Sequence, residues 1–256
     1  MSKNFELMQQ LGNEAEHART AIPSPNIGSL LIDRDNNVYS KKLGLADDSV
    51  SREESLKLVQ RLFLPQRAKG PRAVVFAGID RGSGCSRICG ETASVLAENN
   101  PGSVCVVDAD LRAPSLPQFF GVTNHRGLTD ALLNEGSIRS FAKQVRRDNL
   151  WLLSCGSLAM DSRNILNSKD VQVRFAELRN EFDYILVDVP PVNQYADAIA
   201  LGQIVDGLVL VVEANSTRKE SALKAIESLR VAQVEVLGAV LNKRTFPIPE
   251  LLYRRF

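Results

Sequence analysis

From residue 73 onward the chain alternates between short, continuously apolar runs and longer segments in which apolar positions recur every three or four residues. The runs are AVVFAG (73–78), SVCVVDAD (103–110), LWLLSCG (150–156), YILVDVPP (184–191), GLVLVVEA (207–214) and VLGAVLN (236–242). Runs without a polar alternate suit strands buried on both faces. The intervening SRICGETASVLAEN, VQVRFAELRNEF and RKESALKAIESLRVA carry helical spacing. This succession predicts an α/β fold: a doubly wound, mostly parallel sheet flanked by helices. Upstream, DSVSREESLKLVQRLFL (48–64) places Leu56, Val59, Leu62 and Phe63 at helical spacing behind a Ser- and Asp-rich start, the pattern of a capped amphipathic helix facing the core. FELMQQLGNEAEHA (5–18) suits a short helix, but the Pro, Gly, Asn and charge that fill the rest of residues 1–50 read as a mobile arm.

At 256 residues and 44% hydrophobic, the chain is able to bury a sizeable core. Its 31 basic residues against 30 acidic ones leave a net charge of +1, so no nucleic-acid partner is expected. No window approaches the roughly 18 consecutive apolar residues of a membrane span. The polar start MSKNFELMQQ lacks a signal-peptide core, so the protein reads as cytoplasmic. Cys85, Cys89, Cys105 and Cys155 lack zinc-type spacing and read as reduced, mostly buried thiols.

In parallel sheets of this kind ligands bind at the carboxyl ends of the strands. After the first run comes DRGSGCSR, where Gly82 and Gly84 let the backbone turn tightly towards an anion and a helix N-terminus adds its dipole. Ser86 stands where a phosphate loop places its Mg²⁺-binding hydroxyl. The second run ends in Asp108 and Asp110, which share one side if the strand extends that far and suit a hydrated Mg²⁺ or a proton acceptor. The fourth ends in Asp188, a carboxylate placed to orient a metal's water shell.

GSGCS, VVDADLRAPSL, GLTDALL, ILVDVPP, DGLVLVVEA and GAVLNK, in that order, resemble the cytoplasmic kinase domain of the bacterial tyrosine kinases (BY-kinases) of capsule and exopolysaccharide systems. These belong to the deviant Walker group of P-loop NTPases. The resemblance covers about residues 51–244, between the arm (1–50) and a short tail (245–256). It implies ATP or ADP with Mg²⁺ as ligands: amides of Gly82, Ser83, Gly84, Cys85 and Ser86 on the phosphates, and Ser86, Asp108 and Asp188 at the metal. It also implies Asp108 and Asp110 as the catalytic Walker A′ pair, with Asp110 preferred as the base towards a tyrosine hydroxyl or water, Asn242 at adenine, and Arg112 beside the phosphates or at a subunit interface. The implied partner is a membrane polysaccharide co-polymerase at the inner face of the plasma membrane, with self-association into a homo-oligomer left open.

The chain departs from the family pattern in three places. Cys85 stands where the loop lysine belongs, and Arg81 or Arg87 is the candidate substitute cation. The tail PIPELLYRRF carries Tyr253 alone rather than a tyrosine cluster. The helix with Glu53, Glu54, Lys57 and Arg61 matches only loosely the one that packs ring neighbours. These departures imply a nucleotide-binding protein with weak or absent phosphoryl transfer; the alternatives are an active tyrosine autokinase or ATPase using another cation, a spatial-organisation ATPase, and a pseudoenzyme without nucleotide. A helix N-terminus also lowers thiol pKa values, so an oxidisable Cys85 is a further reading.

Overall fold

The computed structural model describes residues 32–33, 46–64, 70–157, 166 and 169–244. The expected helix at 5–18 and the tail with Tyr253 lie outside them. Six long runs form strands as expected: β2 (Ala73–Gly78), β3 (Val104–Asp108), β5 (Leu150–Leu153), β6 (Tyr184–Val189), β7 (Gly207–Glu213) and β8 (Val236–Asn242). Two short strands complete the sheet. Ile32–Asp33 (β1), within the stretch read as an arm, pairs parallel with β8, and Lys143–Gln144 (β4) pairs antiparallel with β5. The order is β1-β8-β7-β2-β6-β3-β5-β4, parallel throughout except at β4.

Helices cover both faces because successive strand residues point to opposite sides. Val74 and Phe76 of β2 pack with Leu58, Val59 and Leu62 of α1 (Ala46–Leu62) and Ile88, Cys89 and Leu96 of α2 (Cys85–Asn99). Leu116 and Phe120, on α3 (Leu116–Phe120), join that layer. Ala73, Val75 and Ala77 face α5 (Lys169–Glu181), α6 (Asp197–Gly202) and α7 (Lys219–Val231) through Phe175, Leu178, Leu201, Ala225 and Leu229. Leu128 and Ala131 of α4 (Leu128–Leu133) close the same layer. Val59, Leu62 and, just past the helix end, Phe63 are buried as expected and are joined by Ser55 and Leu58, whereas Leu56 is half-buried. The Ser55 hydroxyl donates to the Ser51 carbonyl at 2.9 Å, which satisfies it inside the helix.

The amino ends of the strands are held by a polar staple. Arg72 donates from its guanidinium to the carbonyls of Asp183, Arg179 and Phe182 at 2.9–3.0 Å. Asp206 accepts the Arg72 and Ala73 amides at 2.7 and 2.8 Å and pairs with Arg179 at 2.8 Å. Hydrogen bonds around the Asp206 carboxyl hold it below the usual range against the opposing effect of partial burial. The carboxyl ends are built differently.

Candidate functional site

β2 stops at Gly78, and the chain passes through Ile79–Gly84 into α2. Gly82 and Gly84 have φ of 84° and 82°, a region that residues with a Cβ enter only at a cost. A Cβ on Gly84 would also lie 2.4 Å from the Asn242 amide nitrogen. Replacing Gly84 by alanine is therefore expected to destabilise the fold by about 1–3 kcal/mol, through strain and the clash together, read from urea unfolding midpoints. α2 has neither a side-chain cap nor an acidic residue in its first turn, so its leading amides and dipole are available to an anion.

Beneath this turn lie the carboxylates. Asp108 and Asp188 are register partners on neighbouring strands β3 and β6, and both are buried. Asp108 accepts the amides of Ser115 and Leu116, each at 3.0 Å, and of Asp110 at 3.3 Å, so it also shapes the loop after β3. Its pKa is pushed up to about 7, chiefly by burial, with the Asp110 charge adding and the three amides opposing. Neither oxygen of Asp188 has a hydrogen-bond partner. The Ser86 hydroxyl and Cys85 thiol lie close enough to favour its charged form without making a hydrogen bond of normal geometry on it. Burial first, then the Asp108 charge, pushes Asp188 well above the usual carboxylate range.

A buried carboxylate with both oxygens unpartnered is costly unless something else coordinates it. A hydroxyl and hard carboxylate oxygens form the donor set of Mg²⁺, which binds through one or two carboxylates together with substrate phosphates. The residues fit that ion: Ser86 and Asp188 would hold it, with Asp108 alongside. The described residues contain no group of three or more His, Cys, Asp or Glu suited to a metal by itself.

The condition for Asp108 and Asp110 to share one side of a strand is not met. β3 ends at Asp108, and Asp110 sits in the following turn, its Oδ1 accepting the amides of Arg112 and Ala113 at 3.1 and 3.0 Å. Arg112 is held by Asp197 at 2.6 Å and lies 4.1 Å from the centroid of the Tyr195 ring. Cys85 is buried as well, and burial and the Asp188 charge push its thiol pKa well up. The direction is thus opposite to the expected lowering, because burial outweighs the helix terminus. All four cysteines are free and buried.

Of the two arginines offered as a substitute cation, Arg87 pairs with Glu91 at 2.6 Å, and Arg81 reaches the Tyr195 hydroxyl at 3.4 Å. The end of β8 reaches the loop. Asn242 donates to the Ser83 carbonyl at 2.7 Å, and Lys243, with φ of 58°, donates to the Gly82 carbonyl at 2.5 Å and pairs with Glu213 at 3.2 Å. Sequence reasoning singled out Asn242 but passed over Lys243, Glu213 and Asp197. The available signal for the first two was a lysine and a glutamate at the carboxyl ends of adjacent predicted strands.

Comparison with known proteins agrees with this architecture. Residues 73–251 match the family model described as ParA, NUBPL iron-transfer P-loop NTPase. The chain is 32% identical over 181 residues to the tyrosine-protein kinase YwqD of Bacillus subtilis, covering 66% of this chain and 76% of that protein. It is 29% identical over 175 residues to the succinoglycan biosynthesis transport protein ExoP of Rhizobium meliloti, covering 67% of this chain but 22% of that protein. The kinase domain of the Escherichia coli tyrosine kinase ETK superposes with a TM-score of 0.75 at 18% identity, over 89% of this chain and 98% of that one, a likeness of fold.

Proposed function

Because the chain belongs to the ParA-type P-loop NTPases, and among them to the bacterial tyrosine kinases, we propose that it binds a Mg²⁺-nucleotide at the β2–α2 turn and transfers phosphoryl groups weakly or not at all. The observation that carries this is Asp188: a buried, unpartnered carboxylate beside Ser86, beneath an uncapped helix N-terminus whose loop holds Cys85 in place of a cation. In this reading the amides of Gly82–Ser86 cradle the phosphates, Asp110 is the base, Asn242 lies towards adenine and Arg112 beside the phosphates. Residues 51–244 carry the nucleotide domain, with β1 and the first turn of α1 contributed by the stretch before residue 51.

Among the described residues no helix is long and apolar enough to cross a membrane. We place the protein on the cytoplasmic side of a polysaccharide export system, recruited by the inner-face segment of a membrane co-polymerase; the relative named for succinoglycan biosynthesis transport supports this setting. A second reading, an active tyrosine autokinase or ATPase with another cation in the lysine's place, is favoured by the ammonium that Lys243 brings to Gly82. It would yield phosphotyrosine at Tyr253 after incubation with Mg²⁺-ATP, lost in Asp110→Asn.

Calorimetric titration with Mg²⁺-ATP and Mg²⁺-ADP tests the main reading. Micromolar binding, lost in Asp188→Ala, is the expected result. No heat of binding at millimolar nucleotide would mean that the turn keeps only the shape of a phosphate loop.

A further inference from the structure

The turn between β2 and α2 faces an electrostatic problem of its own. Asp108, Asp188 and Asp110 gather beneath it, and the Glu213 carboxylate stands at its rim, Oε2 4.0 Å from where a Cβ on Gly82 would be. A polyphosphate entering here passes the Glu213 carboxylate and finds no cation at position 85, since Cys85 carries none, while Arg112 is engaged by Asp197.

The geometry points to Lys243 as the cation that binds the terminal phosphates of a nucleoside triphosphate at this loop, with Glu213 as the anion that holds its ammonium until the nucleotide arrives. This assignment rests on the nucleotide-binding reading above and deepens it. Three observations support it. Lys243 leaves β8 in the left-handed region, which side-chain-bearing residues rarely adopt, so the chain turns at once on leaving the strand. Its stem then lies over the loop, Cε 4.0 Å from where a Cβ on Gly84 would be, and its ammonium rests on the Gly82 carbonyl. Its side chain is 49% exposed while that of Glu213 is 23% exposed, so the ammonium is the more accessible member of the pair to an incoming ligand.

An ammonium offers three donors as a compact point charge, well suited to phosphate oxygens. A triphosphate carries more charge than one carboxylate and competes for the ammonium. Lys243 therefore occupies, from the end of a strand two places away in the sheet, the electrostatic role that the loop itself has lost. Glu213 then acts against the nucleotide, since it must give the ammonium up.

Calorimetric titration of the full chain with Mg²⁺-ATP and Mg²⁺-ADP separates this from a merely structural clamp. Lys243→Gln keeps an N–H able to donate to the Gly82 carbonyl but removes the charge. It is expected to weaken Mg²⁺-ATP roughly tenfold and Mg²⁺-ADP less, with Lys243→Arg retaining most of the affinity. Glu213→Gln is expected to tighten Mg²⁺-ATP severalfold, a gain that disappears when Lys243→Gln is added. Unchanged affinity in Lys243→Gln, or equal loss for both nucleotides, overturns the assignment and leaves Lys243 as a brace for the loop. Absence of binding by the unaltered protein overturns the nucleotide reading itself, and this assignment with it.

Discussion

Introducing lysine at position 85 is expected to raise the rate of phosphoryl transfer from Mg²⁺-ATP by about a hundredfold to a thousandfold. An ammonium about 4 Å from a phosphate oxygen contributes on the order of 4 kcal/mol at an effective dielectric of about 20. Each 1.4 kcal/mol or so of that, if expressed in the transition state, is a factor of about ten in rate. Position 85 is the first residue of α2, where the chain turns away from β2, and its side chain already lies beside Asp188. The new ammonium would therefore sit between a buried carboxylate and the incoming phosphates. Single-turnover release of phosphate from labelled ATP reads the effect directly. The gain should be larger in a Lys243→Gln background, because there the introduced lysine works without another cation at the loop. A rate unchanged by Cys85→Lys would show that charge at this loop is not what limits transfer.

Asparagine in place of Asp188 should make the unliganded fold more stable while abolishing Mg²⁺-nucleotide binding. The unfolded chain releases these aspartate protons near pH 4. Burial in the folded protein holds the proton on Asp108 up to about 7 and raises Asp188 in the same direction. Below about pH 4 both carboxyls are protonated in both states, and the burial of charge costs nothing. As the pH rises from there through the folded pKa of Asp108, the unfolded chain is already ionised while the folded one is forced to ionise, and stability falls. For Asp108 alone a displacement of this size corresponds to about 4 kcal/mol. Removing the Asp188 charge should thus stabilise the protein, and more at pH 8 than at pH 5, as measured by urea unfolding at the two pH values. A variant less stable than the original at pH 8 would mean that Asp188 is compensated inside the fold.

The parallel sheet was legible because strands buried on both faces leave unbroken apolar runs, and all six long strands fall on such runs. β1 and β4 were not. Each is two residues long and is specified by the edge it joins rather than by its own composition. The carboxylates at the strand ends were legible from position alone. Their inequality was not, since it depends on the loop after β3 folding back to give three amides to Asp108 and none to Asp188. The thiol of Cys85 went the wrong way because a helix dipole is visible in sequence, whereas the burial that outweighs it is not. Lys243 lies 161 residues from Gly82, and a strand pairing had to bring the two together before its role became readable.

The two ends of the same strands behave oppositely. At the amino ends Arg72, Arg179 and Asp206 satisfy one another and the backbone, whereas at the carboxyl ends the fold leaves Asp188 without a partner. One end is locally relaxed and the other locally frustrated, a condition that a bound ligand relieves. Ligand that binds only the folded state adds about 2.7 kcal/mol of stability at a hundred times its dissociation constant. The resistance of this protein to unfolding and proteolysis should therefore track the total supply of Mg²⁺-nucleotide around it.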